Sequence, residues 1–226
     1  MTKRGFVDFH THTILSDGEL LPSELVQRAT IAGCRGLAIT DHADVSNIDF
    51  IISRIVAFVE ELGGEWDIPI IPGVELTHVP PRRISDLVQR ARKLGAKWVV
   101  VHGETIVEPV EAGTNRAALE AGVDMLAHPG LITEEEASLA AQRSVYLEIT
   151  TRKGHSLSNG WVSRCAALTG APLLLNTDAH SPEDILSSHE RFQCAIGAGI
   201  SQKEVEKIWE SGFELMRTIA AQGDPE

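Results

Sequence analysis

Short apolar runs alternate with longer stretches of helical spacing along most of this chain of 226 residues. The runs lie near residues 6–10, 36–40, 68–74, 97–101, 124–127, 145–149 and 172–176. They are too short for helices and rich in Val, Ile and Leu, as strands buried on both faces of a parallel sheet are. Between them, Leu25, Val26, Ala29 and Ala32 share one stripe of a predicted helix over 22–32, with Pro22 early and Gly33 after its end. Ile51, Ile52, Ile55, Val56, Val59 and Leu62 repeat at helical spacing over 48–62. Further helices are predicted over 85–94, 115–121 and 158–169, stopped by Gly95, Gly122 and Gly170. Thr133 and Glu136 have capping-box spacing ahead of Ala137, Leu139 and Ala140. Ser201 and Glu204 repeat it, opening a last helix that runs to about residue 221.

Such alternation predicts a parallel sheet with helices outside it. Six of the seven runs then end in acid or imidazole groups. They are Asp8-Phe9-His10-Thr11-His12, Thr40-Asp41-His42, Gly73-Val74-Glu75, Val101-His102, Ala127-His128 and Thr177-Asp178-Ala179-His180. The carboxyl ends of parallel strands converge on one face. Groups from both the first and the last strand are involved, and only closure brings those strands together. A single-domain seven-stranded β/α barrel over residues 1–226 is therefore expected, in preference to an open doubly wound sheet. His10 and His12 are two apart, so they share one side of a strand, which in a barrel is the inside. Clustered imidazoles and carboxylates form the ligand set of hard-to-borderline metal ions. Asp17, on the loop leaving the first strand, either caps the Asp17-Gly18 turn or reaches back to a metal.

Charge narrows the partners. Twenty Lys and Arg against 32 Asp and Glu give a net charge of −12. No basic stripe is visible for a nucleic acid beyond short oligonucleotides. Cys34, Cys165 and Cys194 are far apart and show no zinc-ribbon spacing, so buried neutral thiols are expected in a reducing compartment. Neither a leader pattern nor a membrane-spanning apolar run is visible, and a cytoplasmic protein is expected.

In these motifs the chain resembles the polymerase and histidinol phosphatase (PHP) superfamily, from His10-Thr11-His12 and Ser16-Asp17-Gly18 through Thr177-Asp178-Ala179-His180. The resemblance implies a distorted (β/α)7 barrel and a site for two to three divalent metals, Zn²⁺, Mn²⁺ or Fe²⁺. It places His10, His12, Glu75 and Asp178 on one metal. Glu75 then bridges to a second metal held by His102 and His128, and Asp17, His42 and His180 hold a third. It further implies hydrolysis of a small phosphate monoester by a metal-bridging hydroxide, without a Ser, Cys or Asp nucleophile. After the sixth strand, Arg152 and Lys153 are candidates to clamp phosphate oxygens, and His155 to protonate the leaving group. Arg82 and Arg83 are further substrate candidates. Asp41 and Glu148 are expected to orient ligands or bind backbone. His78 and His189 are read as structural or surface residues.

Three other readings compete. A nucleotide or oligonucleotide phosphodiesterase would need basic or aromatic groups tracking a strand, and the chain has one Tyr and four Trp. An amidohydrolase would present a bridging modified lysine where Glu75 stands. A structural metal domain would leave ligand positions blank, and none is blank. The oligomeric state is left open, with the apolar face of the last helix read first as core.

Overall fold

In the computed structural model, which describes residues 5–221, eight strand segments alternate with eight α-helices. The strands are β1 (Phe6–Asp8), β2 (Cys34–Ile39), β3 (His42–Ala43), β4 (Ile70–Leu76), β5 (Trp98–His102), β6 (Met125–Ala127), β7 (Tyr146–Thr150) and β8 (Leu173–Asn176). All pairings among them are parallel. Leu37 lies opposite Ile70 and His42 opposite Glu75, so β2 and β3 keep one register against β4. They form a single stave interrupted at Thr40-Asp41, and the barrel has the seven staves expected. It is nearly closed. The amide of Asp178 donates to the carbonyl of His10 (3.0 Å) and that of His12 to Ala179 (2.9 Å), which draws the first and last staves together.

The helices are α1 (Pro22–Ile31), α2 (Ile48–Leu62), α3 (Pro81–Lys93), α4 (Thr114–Ala121), α5 (Glu134–Arg143), α6 (Asn159–Thr169), α7 (Ser188–Gly197) and α8 (Gln202–Ala221). The capping boxes at Thr133–Glu136 and Ser201–Glu204 form as expected. Helix α3 begins at Pro81, four residues before the expected start, because proline suits the first helical turn. That shift moves Arg82 and Arg83 from a mouth loop onto an exposed first turn, where Arg83 pairs with Asp86. Helix α7 was not anticipated, although Ser187 and Glu190 carry the same capping box. Among the described residues no helix is long and apolar enough to cross a membrane.

Alternation along the staves sorts the core. Val7, Phe9, Ile71, Trp98, Val100, Met125, Ala127 and Leu174 share one cluster with Met216 and Ile219 of α8. Val74, Val99, Val101 and Leu126 belong instead to the layer under the surrounding helices. Helix α8 packs against β1, β2, β4 and β8, so it floors the barrel at the end opposite the ligand-bearing loops. Close approach requires glycine here. A Cβ on Gly36 would stand 2.5 Å from Met216 Cγ. The apolar face of α8 is thus largely core: Val205, Met216 and Ile219 are buried.

A buried ion pair ties the barrel seam to the outer layer. Arg191 of α7 donates to Asp8 Oδ2 at 2.7 Å, and to the carbonyls of Val7 and Leu175. Its guanidinium stacks over Phe6 at 4.3 Å. Asp8 also accepts from the Thr177 hydroxyl at 2.6 Å. Removing one partner of such a pair leaves a buried charge alone. Arg191→Met should therefore lower unfolding free energy by about 3–5 kcal/mol in urea titrations. Arg116→Ala, on an exposed surface pair, should leave the urea midpoint unchanged.

Candidate metal centre

The period of two that packs the barrel also aims its ligands. On β4, Ile71 lies in the inner core, so Gly73 and Glu75 face inward as well. On β5 the inward set is Trp98, Val100 and His102. Glu148 and Thr150 of β7 share one face. His128 and Asp178 lie just past strand ends and reach the mouth differently. Their backbones turn left-handed, with φ of 26° and 55°. That conformation costs non-glycine residues about 1–3 kcal/mol and is tolerated where surroundings enforce it.

Three ligand groups result. His10 Nε2 lies 3.3 Å from Glu75 Oε2 and 3.7 Å from Asp178 Oδ1. His12 Nε2 lies 3.7 and 3.1 Å from the same two oxygens. In the third group, Asp17 Oδ1 is 3.5 Å from His42 Nε2 and 3.4 Å from His180 Nε2. Those two nitrogens are 3.4 Å apart. A tetrahedral ion bonded at about 2.0–2.1 Å spaces its ligand atoms about 3.3–3.4 Å apart, so this triangle fits one. Asp17 therefore reaches His42 and His180 from its turn, within ligand-to-ligand range of both. The remaining group holds His102 and His128 together with His155, their ring nitrogens within 4.8 Å of one another. Glu75 Oε1 lies 3.5 Å from His128 Nε2.

The donor atoms fit cations better than they fit one another. His10 Nε2, both ring nitrogens of His12, both Glu75 oxygens, His128 Nδ1 and Asp178 Oδ1 are buried without a hydrogen-bond partner. Buried polar atoms are otherwise almost always paired. A divalent ion at each group would satisfy His10 Nε2, one nitrogen of His12 and the Glu75 and Asp178 oxygens.

Oxygen atoms behind the rings fix their orientation. His10 Nδ1 donates to Glu148 Oε1 (2.8 Å), His102 Nδ1 to the Gly103 carbonyl (3.1 Å) and His180 Nδ1 to the Asp178 carbonyl (2.9 Å). His42 Nδ1 lies 2.7 Å from both Glu75 Oε2 and Thr77 Oγ1. Each arrangement presents Nε2 to the mouth. Glu148 also accepts from Asn176 Nδ2 and from the His128 amide, each at 3.0 Å. Asp41 accepts from the amide and hydroxyl of both Thr13 and Ser16, at 2.7–3.0 Å, and so pins the loop that carries Asp17.

Burial alone would raise the Glu75 carboxyl, but His10 and His42 override it and hold it well below the usual range. Glu148 is similarly brought down to about 2, burial being overcome chiefly by His10. Burial, with His42 and His180 beside it, keeps His12 well below the ordinary imidazole value. Burial lowers His10, yet Glu148, Glu75 and Asp178 outweigh it and push the ring well above. Divalent ions bound there would compete with protons for these groups.

All nine expected ligands converge. The loop after β7 is less uniform. Arg152 donates to Asp184 Oδ2 at 2.8 Å, and the same oxygen accepts the His180 amide at 3.0 Å. Lys153 is exposed. His155 is buried and stacked on His128 with ring centroids 4.1 Å apart. Burial, reinforced by His128, pushes it down to about 3. That environment favours the neutral ring. Sequence reasoning also missed Glu108, whose carboxylate meets His102, His155 and His78 at 3.2–3.3 Å. Its one signal was a position on the loop after β5, which opens onto the ligand face. His78 therefore stands at the rim of the site, whereas His189 is exposed on α7.

The PHP domain family model matches residues 8–104. An uncharacterized protein of Methanocaldococcus jannaschii is 49% identical over 201 residues, covering 88% of this chain and 92% of that protein. A probable phosphatase of Syntrophotalea carbinolica is 25% identical over 224 residues, covering 90% and 92%. A 5'-3' exoribonuclease of Haemophilus influenzae matches locally, 42% identical over 77 residues, which is 34% of this chain and 24% of that protein. The crystal structure of histidinol phosphate phosphatase from Lactococcus lactis, with zinc, L-histidinol and phosphate, shares the fold. Its TM-score is 0.59 at 19% identity, covering 87% of this chain and 94% of that one.

Elemental analysis of protein purified without chelator should find about two to three divalent ions per chain, from the ligand count and coordination number. Fewer than about one after supplementation would rule out the cluster. Glu148→Gln, which touches no metal but holds His10, should weaken metal affinity about 10- to 100-fold in chelator competition.

Proposed function

The chain belongs to the PHP domain family, and on that premise we propose that it hydrolyses a small phosphate monoester of the histidinol phosphate type. The observation that carries this reading is the position of Glu75. Its Oε2 faces His10 and His12 while its Oε1 faces His128, so one carboxylate joins two adjacent ligand groups. His10, His12, Glu75 and Asp178 would hold one ion, Glu75, His102 and His128 a second, and Asp17, His42 and His180 a third. Divalent ions there supply charge for the phosphate oxygens, activate water and stabilise the departing alkoxide. A monoester, with two negative charges and three non-bridging oxygens, makes fullest use of three such ions.

The protein's own groups do the rest. Glu148, Asn176 and Asp41 preorganise the ligands, so little rearrangement is needed as substrate enters. Arg152 spends one contact on Asp184 beside His180, and a guanidinium has five N–H donors. The others are assigned to phosphate oxygens, with Lys153 adding charge at the rim. No side-chain nucleophile is invoked. Cys34 and Cys165 are buried against backbone carbonyls, and Cys194 sits beside Asn159 and the Thr150 carbonyl. The likeness to a probable phosphatase over most of both chains supports a monoester, and the local likeness to an exoribonuclease keeps a diester as the second reading.

A panel with added Mn²⁺ or Zn²⁺ tests the choice: p-nitrophenyl phosphate, histidinol phosphate, a bis-aryl phosphodiester, short oligonucleotides and an amide. Monoesters should be turned over fastest, and a preference for diesters over every monoester would overturn the reading. Arg152→Ala should lower kcat/KM roughly 10- to 100-fold, the worth of one charge-assisted hydrogen bond, while metal content stays unchanged.

A further inference from the structure

The second ligand group is larger than the family pattern requires. Glu108 lies on the loop between β5 and α4, six residues past His102. Its Oε2 is 3.2 Å from His102 Nε2, and its Oε1 is 3.3 Å from His155 Nε2. Each ring meets a different oxygen, so the carboxylate spans the two imidazoles, and His102, His128 and His155 already gather within 4.8 Å as one candidate ligand group. Thr105 on the same loop has its hydroxyl 2.7 Å from His155 Nδ1, so Nε2 is the free ring position. His102, His128 and His155 are all buried. Glu108 differs, with its side chain 38% exposed on a loop that also exposes Ile106 and Val107. His78, 44% exposed, contacts Glu108 from outside at 3.2 Å and serves as its ion-pair partner.

We propose that His155 and Glu108 complete the second metal position, His155 as a fixed ligand and Glu108 as an exchangeable carboxylate that an incoming phosphate displaces. Three imidazoles anchored on β5, on the turn after β6 and on the turn after β7 hold the ion in place. With Glu75 as the fourth ligand, the loop carboxylate would take a fifth position until an anion with more charge arrives. The inference rests on the metal centre and phosphate reading above. It gives the loop between β5 and α4 a specific task, gating the open position of one ion.

Cobalt(II) is the probe, because its visible absorption reports coordination. The full chain and its His155→Ala, Glu108→Ala and Glu111→Ala variants are loaded with Co²⁺, with and without inorganic phosphate. Stoichiometry is read by equilibrium dialysis and folding by far-UV circular dichroism. His155→Ala should weaken one ion by roughly 10-fold or more and spare the others. Glu108→Ala should change the phosphate-free spectrum, while its phosphate-bound spectrum coincides with that of the unaltered chain. Glu111→Ala, exposed on the same loop, should match the unaltered chain throughout. If His155→Ala and Glu108→Ala keep the original affinities and spectra, neither is a ligand. If the phosphate-bound spectra of Glu108→Ala and the unaltered chain still differ, Glu108 is not displaced. Should His155→Ala fail to fold, His155→Gln carries the same comparison. Inactivity towards monoesters would sink the functional reading alone, since these measurements need no turnover.

Discussion

Asp8 and Arg191 are 183 positions apart and meet inside the protein at 2.7 Å. Asp8 closes β1 against the chain after β8 through Thr177, and Arg191 locks that seam to α7. The cluster at the barrel mouth depends on this closure. His10 and His12 follow β1 directly, and Asp178 and His180 follow β8. Without the seam, two pairs of ligands would sit on opposite edges of an open sheet. With it, His12 Nε2 comes within 3.1 Å of Asp178 Oδ1. The pair is an expensive device, because both charges must leave water. Its additional hydrogen bonds to Val7, Leu175 and Thr177 are what make it tolerable.

The seam also explains where the backbone is strained. Strands present inward side chains at every second residue, which serves Glu75, His102 and Glu148 without distortion. His128 follows the inward Ala127 directly and would point outward in a continuing strand. A left-handed turn returns it to the mouth, and the amide it exposes there donates to Glu148 Oε2. Asp178 also turns left-handed beyond Asn176, and its amide donates to the His10 carbonyl. These two φ values are thus each held by a hydrogen bond within the centre.

Around the mouth, support is as dense as the ligand set. Glu148 alone joins His10, Asn176 and the His128 amide, so it couples three staves. Asp41 gathers four hydrogen bonds from a short loop and so fixes the approach of Asp17, which is otherwise the most exposed of the nine ligands. The imidazoles at the strand ends are buried, whereas the Glu108 carboxylate that meets them comes from a loop and is partly exposed.

Local chemistry settled much of this in advance. Runs of Val, Ile and Leu marked the seven staves. Helix stops at Gly33, Gly122 and Gly170 and the capping box at Thr133 marked helix limits. The nine residues that gather at the mouth could be named because strand-end or first-loop position and residue type are both local properties. Edges were less legible: β1 ends at Asp8, not at residue 10, since its backbone leaves β2 to pair across the seam. Helix α7 was missed because its buried face is built around an arginine, Arg191, whose partners lie at the far end of the chain. Glu108 and the neutral state of His155 were equally hidden. The sequence by itself determined the alternating elements and which residues could bind a cation. Only the tertiary structure decided which of those groups share a site, because ring separation, burial and proton balance arise from contacts between residues tens to hundreds of positions apart.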